Sequence, residues 1–73
     1  MKYKFDNEAF SKKVKQMRII EKSINLRKAA KEIGIDHTAI HRAEHGIEPN
    51  LLNYYALCKW IGADMSEFIK KAK

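Results

Sequence analysis

Residues 29–46, AAKEIGIDHTAIHRAEHG, constrain the fold more strongly than any other part of the chain. Gly34 stands between two segments of helical periodicity and accepts the positive φ of a tight turn. Asp36 suits the N-cap of the second segment, and Gly46 suits the left-handed position just after its end. The pattern therefore predicts two short helices around a glycine turn, with the second helix over residues 36–45.

The second of these helices has two different faces. Helical geometry at about 100° per residue places the polar and basic side chains within one arc of roughly 140°: His37, Thr38, His41, Arg42 and His45. Ala39, Ile40 and Ala43 share the opposite side. One face therefore packs on a core, and the other, with a fixed charge and three imidazoles, suits an anionic partner.

The overall charge agrees with an anionic partner without identifying it. The chain has 15 lysines and arginines against nine acidic residues, which gives 73 residues a formal net charge of +6. Such a balance is compatible with nucleic acid, with an anionic membrane surface and with a basic ribosomal-type protein. Charge alone does not choose among them.

Length and cysteine content restrict the class of protein. A chain of this length is expected to form one domain over residues 1–73. The single cysteine, Cys58, excludes an internal disulfide and a Cys-x-x-Cys metal site, and it is interpreted as a core residue. With no signal peptide or apolar run of about 18 residues, the expected location is cytoplasmic, without membrane association.

Periodicity and capping residues predict an all-α, compact five-helix domain. The first helix starts after Asp6, with Phe5 and Phe10 as a hydrophobic staple, and runs to about Glu21. The other helices are a second over Leu26–Ile33 capped by Asn25, the third over 36–45, a fourth between Asn50 and Gly62, and a fifth opened by a capping box from Asp64 to Glu67. The expected core positions are Phe10, Val14, Met17, Ala29, Ala30, Ile33, Leu51, Tyr54, Leu57, Cys58, Ile61 and Phe68.

Two segments allow more than one interpretation. In residues 1–5, Tyr3 and Phe5 alternate with lysines, which fits either a short strand or a basic arm. On the fourth helix, Leu52, Tyr55 and Trp60 fall off the inward stripe and are either peripheral core or part of a dimer patch.

The two helices around Gly34 match the helix-turn-helix pattern, in which the second helix enters the DNA major groove. The sequence resembles the Cro and lambda-repressor-like (XRE) family over a twenty-residue motif, Leu26–His45. Its small positions are filled by Ala30 and Gly34, and its apolar positions by Ala29, Ile33, Ile35, Ile40 and Ala43. The resemblance extends over roughly residues 10–68.

The resemblance implies an ion pair between Arg18 and Glu44 beneath the second helix of the motif, which is the recognition helix in this family. Helical geometry agrees, because Glu44 lies at the edge of the buried side, where an unpaired carboxylate is costly. Where the family often has a phosphate-binding Gln, this chain has Leu26, and Arg27 follows it. The predicted base contacts are His37, Thr38, His41 and Arg42, and the predicted phosphate contacts are Arg27, Lys28 and His45, of which His45 is equally compatible with plain exposure.

The predicted function is sequence-specific binding of double-stranded DNA as a small transcriptional regulator of repressor type, acting as a homodimer at least on DNA. The alternative is a helix-turn-helix module that binds a protein partner, as an antitoxin does. No catalytic constellation, cofactor site or metal site is expected. Adjacent histidines among His37, His41 and His45 are spaced to share a transition metal ion, but this is not the predicted function.

Overall fold

The computed structural model describes residues 2–72, which form four helices and a small antiparallel pair of strands. The order is β1 (Tyr3–Phe5), α1 (Asn7–Gln16), α2 (Leu26–Ile33), α3 (His37–Glu44), α4 (Leu51–Ile61) and β2 (Ile69–Lys71). A π-helical turn over Met17–Glu21 extends α1, and a 3-10 turn over Met65–Phe68 precedes β2.

Each of the four helices starts at a predicted N-cap. The side chains of Asp6, Asn25, Asp36 and Asn50 accept backbone N–H hydrogen bonds at 3.1, 2.9, 2.9 and 2.8 Å. These bonds satisfy N–H groups of the first turn, which have no partner inside the helix. The predicted staple is also present, because the rings of Phe5 and Phe10 lie 5.4 Å apart.

The turns after α2 and α3 both depend on a left-handed glycine. Gly34 has φ +86° and Gly46 has φ +80°. The residue after each glycine donates its N–H back into the helix, Ile35 to the Ala30 carbonyl at 3.3 Å and Ile47 to the Arg42 carbonyl at 3.0 Å. At the end of α3 the Gly46 N–H also donates to the Ala43 carbonyl at 3.4 Å, which completes a Schellman motif. At the end of α2 the Gly34 N–H donates to the Ala30 carbonyl at 2.8 Å, as in the αL motif. Both patterns fix the direction in which the chain leaves the helix.

The prediction of a mostly helical, compact fold is confirmed, but the predicted fifth helix is wrong: within residues 2–72 the fold has four α-helices and a small antiparallel strand pair. The Asp64 side chain makes no capping hydrogen bond, and the segment forms only a short 3-10 stretch over Met65–Phe68, in which the Glu67 N–H donates to the Asp64 carbonyl at 3.0 Å. The chain then extends, because the Phe68 carbonyl accepts from the Asp6 N–H at 2.7 Å and β2 pairs with β1.

The open question about the N-terminal segment is answered for residues 2–5. Residues 3–5 form β1, in which Tyr3 pairs with Lys71 and Phe5 with Ile69. The Lys2 carbonyl continues this pairing by accepting from the Ala72 N–H at 2.7 Å. Met1, which belongs to the same predicted segment, lies outside the described residues.

The core lies between the four helices and the 3-10 turn. Its buried side chains are Phe10, Val14, Ala29, Ile40, Ala43, Tyr54, Leu57, Cys58 and Phe68. Phe10 is the centre of an aromatic cluster, with the rings of Tyr54 and Phe68 each 5.2 Å from it. None of the helices within residues 2–72 combines the length and apolar composition that crossing a membrane requires.

Several predicted core positions are less buried than expected. Met17, Ala30, Ile33 and Ile61 are half-buried at the margin of the core. The prediction for Leu51 is wrong, because its side chain is 71 % exposed. Leu51 is the first residue of α4 and precedes the turn at which that helix reaches the core, so helical spacing alone assigned it to the wrong side.

Candidate functional site

The exposed face of α3 is the centre of the candidate site. The turn over residues 34–36 joins α2 to α3 and leaves one side of α3 against the core, where Ile40, Ala43 and Glu44 are buried. On the other side Thr38, His41, Arg42 and His45 are exposed, and His37 is half-exposed. The structure thus places all five predicted polar side chains on the surface of one helix.

The buried side of α3 is attached to the π-helical turn after α1 by an ion pair, which is the expected pair of Arg18 and Glu44. Arg18 Nε donates to Glu44 Oε2 at 2.6 Å, and Arg18 Nη2 donates to Glu44 Oε1 at 2.8 Å. This two-bond arrangement is the strong geometry for a guanidinium and a carboxylate. The bond to Glu44 raises the pKa of Arg18, against the opposing effect of burial, so the guanidinium stays charged.

Two further hydrogen bonds support the same junction. Arg18 Nη1 donates to the Ile24 carbonyl at 3.1 Å, which connects the junction to the segment before α2. Ser11 Oγ on α1 donates to the Ala43 carbonyl at 2.6 Å. The orientation of α3 is therefore fixed from beneath by polar contacts as well as by apolar packing.

At the N-terminus of α3, the N-cap Asp36 places a carboxylate next to the predicted base-contacting residues. Asp36 accepts from the Thr38 backbone N–H, and this bond is the main reason that its pKa is lowered. His37 Nδ1 lies 3.4 Å from Asp36 Oδ1.

The rings of His41 and His45 are stacked, a contact that the sequence analysis did not predict. Their rings stack with centroids 4.1 Å apart and an angle of 29° between the planes. His45 Nδ1 lies 2.7 Å from the His41 carbonyl oxygen, and because a carbonyl only accepts, Nδ1 carries the proton. The sequence signal for this contact is that the two histidines are four residues apart on a helix. Across residues 2–72, no three His, Cys, Asp or Glu side chains gather in a metal-binding group.

Basic side chains flank both ends of α3. At its N-terminus, an open groove is lined by the predicted phosphate-binding residues Arg27 and Lys28 together with Lys31 and His37, over an apolar floor of Ala30 and Ile35. We call this surface the N-terminal groove. It contains three fixed positive charges against the single carboxylate of Asp36.

At the other end of α3, His45 lines a second groove with Ser11, Lys12 and Lys15 of α1. Glu8 also lines this groove, and its Oε1 lies 3.6 Å from Lys12 Nζ, so part of the positive charge of the groove is compensated. The sequence analysis assigned no site role to Lys12, Lys15 or Lys31. Their place beside α3 depends on how α1 and α2 pack on it, and no local pattern encodes that packing.

The candidate site is thus an exposed polar helix face with a basic groove at each end, held from below by a bidentate ion pair. The chain matches no protein-family model, and no curated protein or solved structure shows significant similarity to it.

Proposed function

We propose that this chain binds double-stranded DNA through the exposed face of α3 and acts in the cytoplasm as a small transcriptional regulator of repressor type. In this proposal α2 and α3 form a helix-turn-helix like that of the Cro and XRE family. The observation that carries it is the contrast between the two sides of α3. One side is fixed by Ile40, Ala43 and the Arg18–Glu44 pair, while the other presents Thr38, His41 and Arg42 to solvent.

The dimensions of α3 suit the proposed role. An α-helix with its side chains is about 10–12 Å in diameter, which fits the major groove of B-DNA, about 12 Å wide. Arg42 supplies two donors in a plane, which matches the N7 and O6 acceptors of guanine. His37, Thr38 and His41 offer single hydrogen bonds to base edges or phosphates.

The grooves beside α3 supply the contacts that carry no sequence information. Arg27 and Lys28 lie in the first turn of α2, where their positive side chains favour a phosphate. At the far end of α3, His45 lies beside Lys12 and Lys15 and contacts a second phosphate in this proposal. In this arrangement the phosphate contacts position the helix and its exposed face selects the sequence.

A regulator of this kind binds as a homodimer to two half-sites about 34 Å apart, one turn of DNA. The test is selection from a randomised duplex pool, followed by fluorescence anisotropy of the selected duplexes over a salt series. The proposal expects an enriched palindromic sequence. Weak binding that is steep in salt and enriches no sequence would refute it and favour the alternative, a module that binds a protein partner.

Matched variants make the test specific to α3. Arg42→Ala should weaken binding to the selected duplex by about 5- to 150-fold, the effect of losing one bidentate base contact. Lys71→Ala removes the same charge from β2 and should change affinity only slightly. Arg27→Ala should weaken binding to all duplexes equally and reduce the salt slope by about 1. Equal losses in Arg42→Ala and Lys71→Ala would contradict base recognition by α3.

A further inference from the structure

Two exposed histidine rings lie in contact at the C-terminal end of α3. His41 and His45 are four residues apart, and their ring centroids are separated by 4.1 Å. His37 has the same spacing from His41, but its Nδ1 lies 3.4 Å from Asp36 Oδ1, at the start of the helix. The sequence allows two histidine pairs on α3, and the structure brings the rings of the second pair together.

The backbone determines which nitrogen of His45 is available to a metal ion. Nδ1 of His45 donates to the His41 carbonyl oxygen at 2.7 Å. In a neutral imidazole the other nitrogen, Nε2, then carries the free lone pair. Histidines that bind metals almost always donate their second ring nitrogen to a carbonyl, a carboxylate or water, because this bond orients the ring and makes it a better ligand. His45 has the hydrogen bond that such a ligand requires.

The two rings need only a small movement to share one ion. A metal–nitrogen distance of about 2.0–2.1 Å, with an angle of about 90–110° between the two nitrogens, places the ring centroids roughly 4.5–5 Å apart. The separation of 4.1 Å must therefore increase by less than about 1 Å, while the rings turn until the two Nε2 atoms converge. Both side chains are exposed, and the outer torsion of a histidine has a broad energy minimum, so packing does not resist this change.

We propose that His41 and His45 bind a divalent transition metal ion through their Nε2 atoms. No third metal-binding side chain of residues 2–72 joins them, so water fills the remaining positions. Imidazole suits Zn²⁺, Ni²⁺ and Cu²⁺, whereas Mg²⁺ prefers oxygen ligands. Two of the four ligands of a structural zinc site supply roughly half of its binding free energy, which corresponds to a dissociation constant on the order of 1–100 µM. This inference does not rest on DNA binding and is tested without DNA.

The first experiment is isothermal titration calorimetry of the full chain with zinc chloride at pH 7.5, in a buffer that does not bind metals. Wild type should bind one Zn²⁺ per chain. His41→Ala and His45→Ala should each weaken binding by more than about tenfold, because each removes one ligand. His37→Ala is the matched control, since it removes a histidine from the same helix, and it should change the affinity by less than about twofold. All variants are checked for an unchanged far-ultraviolet spectrum.

The second experiment tests whether the site belongs to the folded helix. Unfolding separates the two rings, so an ion bound by both stabilises the folded chain. With about 1 mM Zn²⁺ and a dissociation constant of about 10 µM, the folding equilibrium constant should rise about 100-fold, measured by urea unfolding. The rise should persist in His37→Ala, disappear in His41→Ala and be absent with Mg²⁺. Zinc binding weaker than about 1 mM, equal losses in His37→Ala and His41→Ala, or an unfolding midpoint that zinc does not raise would each overturn the proposal.

Discussion

Replacing Arg18 by methionine should strongly destabilise the fold, because it leaves the Glu44 carboxylate buried without its partner. The Glu44 side chain is 3 % exposed and that of Arg18 16 %, and two hydrogen bonds of 2.6 and 2.8 Å join them. Methionine keeps much of the length of the arginine stem but supplies no donor. The Ile24 carbonyl loses its 3.1 Å hydrogen bond in the same substitution.

The expected loss follows from the geometry of this pair. Removing one partner of a buried ion pair costs about 3–5 kcal/mol, because the remaining charge is neither solvated nor paired. The total stability expected for a chain of 73 residues is about 4–11 kcal/mol, so the loss is a large fraction of it. Glu44→Met should cost less, about 1–3 kcal/mol, because the partly exposed guanidinium can move into solvent. The double variant should return to within about 1–2 kcal/mol of wild type, since no charge is then buried.

The assay is urea unfolding of wild type, both single variants and the double variant, followed by circular dichroism and by the fluorescence of Trp60. Arg18→Lys should lie between wild type and Arg18→Met, because lysine keeps the charge but not the two-bond geometry. If Arg18→Met is unfolded in water, trimethylamine N-oxide raises all four stabilities and preserves the comparison. An Arg18→Met midpoint equal to that of wild type, or a double variant as unstable as Arg18→Met, would refute the reasoning.

One prediction concerns pH. Burial raises the pKa of the Cys58 thiol and of the Tyr54 phenol, so the folded state keeps protons that the unfolded chain releases in alkaline solution. Unfolding free energy should be constant below about pH 8 and fall above it, by up to about 1.4 kcal/mol per pH unit for the thiol. Urea titrations from pH 7 to 10 measure this decline, and an identical decline in Cys58→Ala would rule out the thiol as a cause.

The four helices could be predicted because their boundaries are encoded locally. Asp6, Asn25, Asp36 and Asn50 each bond an N–H group within three residues, so a short stretch of sequence contains the whole signal. The strand pair could not be predicted in the same way. Each strand has only three residues, and the partners come from opposite ends of the chain, so neither pattern specifies the other.

The same distinction applies to the candidate site. The two faces of α3 follow from helical periodicity, and the burial of Glu44 at their edge pointed to a cationic partner. By contrast, Lys12 and Lys15 come to lie near His45 only because α1 packs across α3. The stacking of His41 on His45 depends on the rotamers of the two side chains. A spacing of four residues on a helix shows only that the two rings are within reach of each other.

Because α3 is short, the residues that hold it in place can be distinguished from the residues that contact DNA in the proposed function. A helix of eight residues is not stable alone in water, so its position depends on the contacts of Ile40, Ala43 and Glu44 with the rest of the fold. Substitution of the exposed Arg42 leaves those contacts intact and should change unfolding free energy by less than about 0.5 kcal/mol. Arg18 lies beneath α3 and does not belong to its exposed face, so Arg18→Met acts on DNA affinity only through the placement of the helix. A variant that loses affinity at unchanged stability therefore identifies a contact with DNA, whereas one that loses both identifies a support of α3.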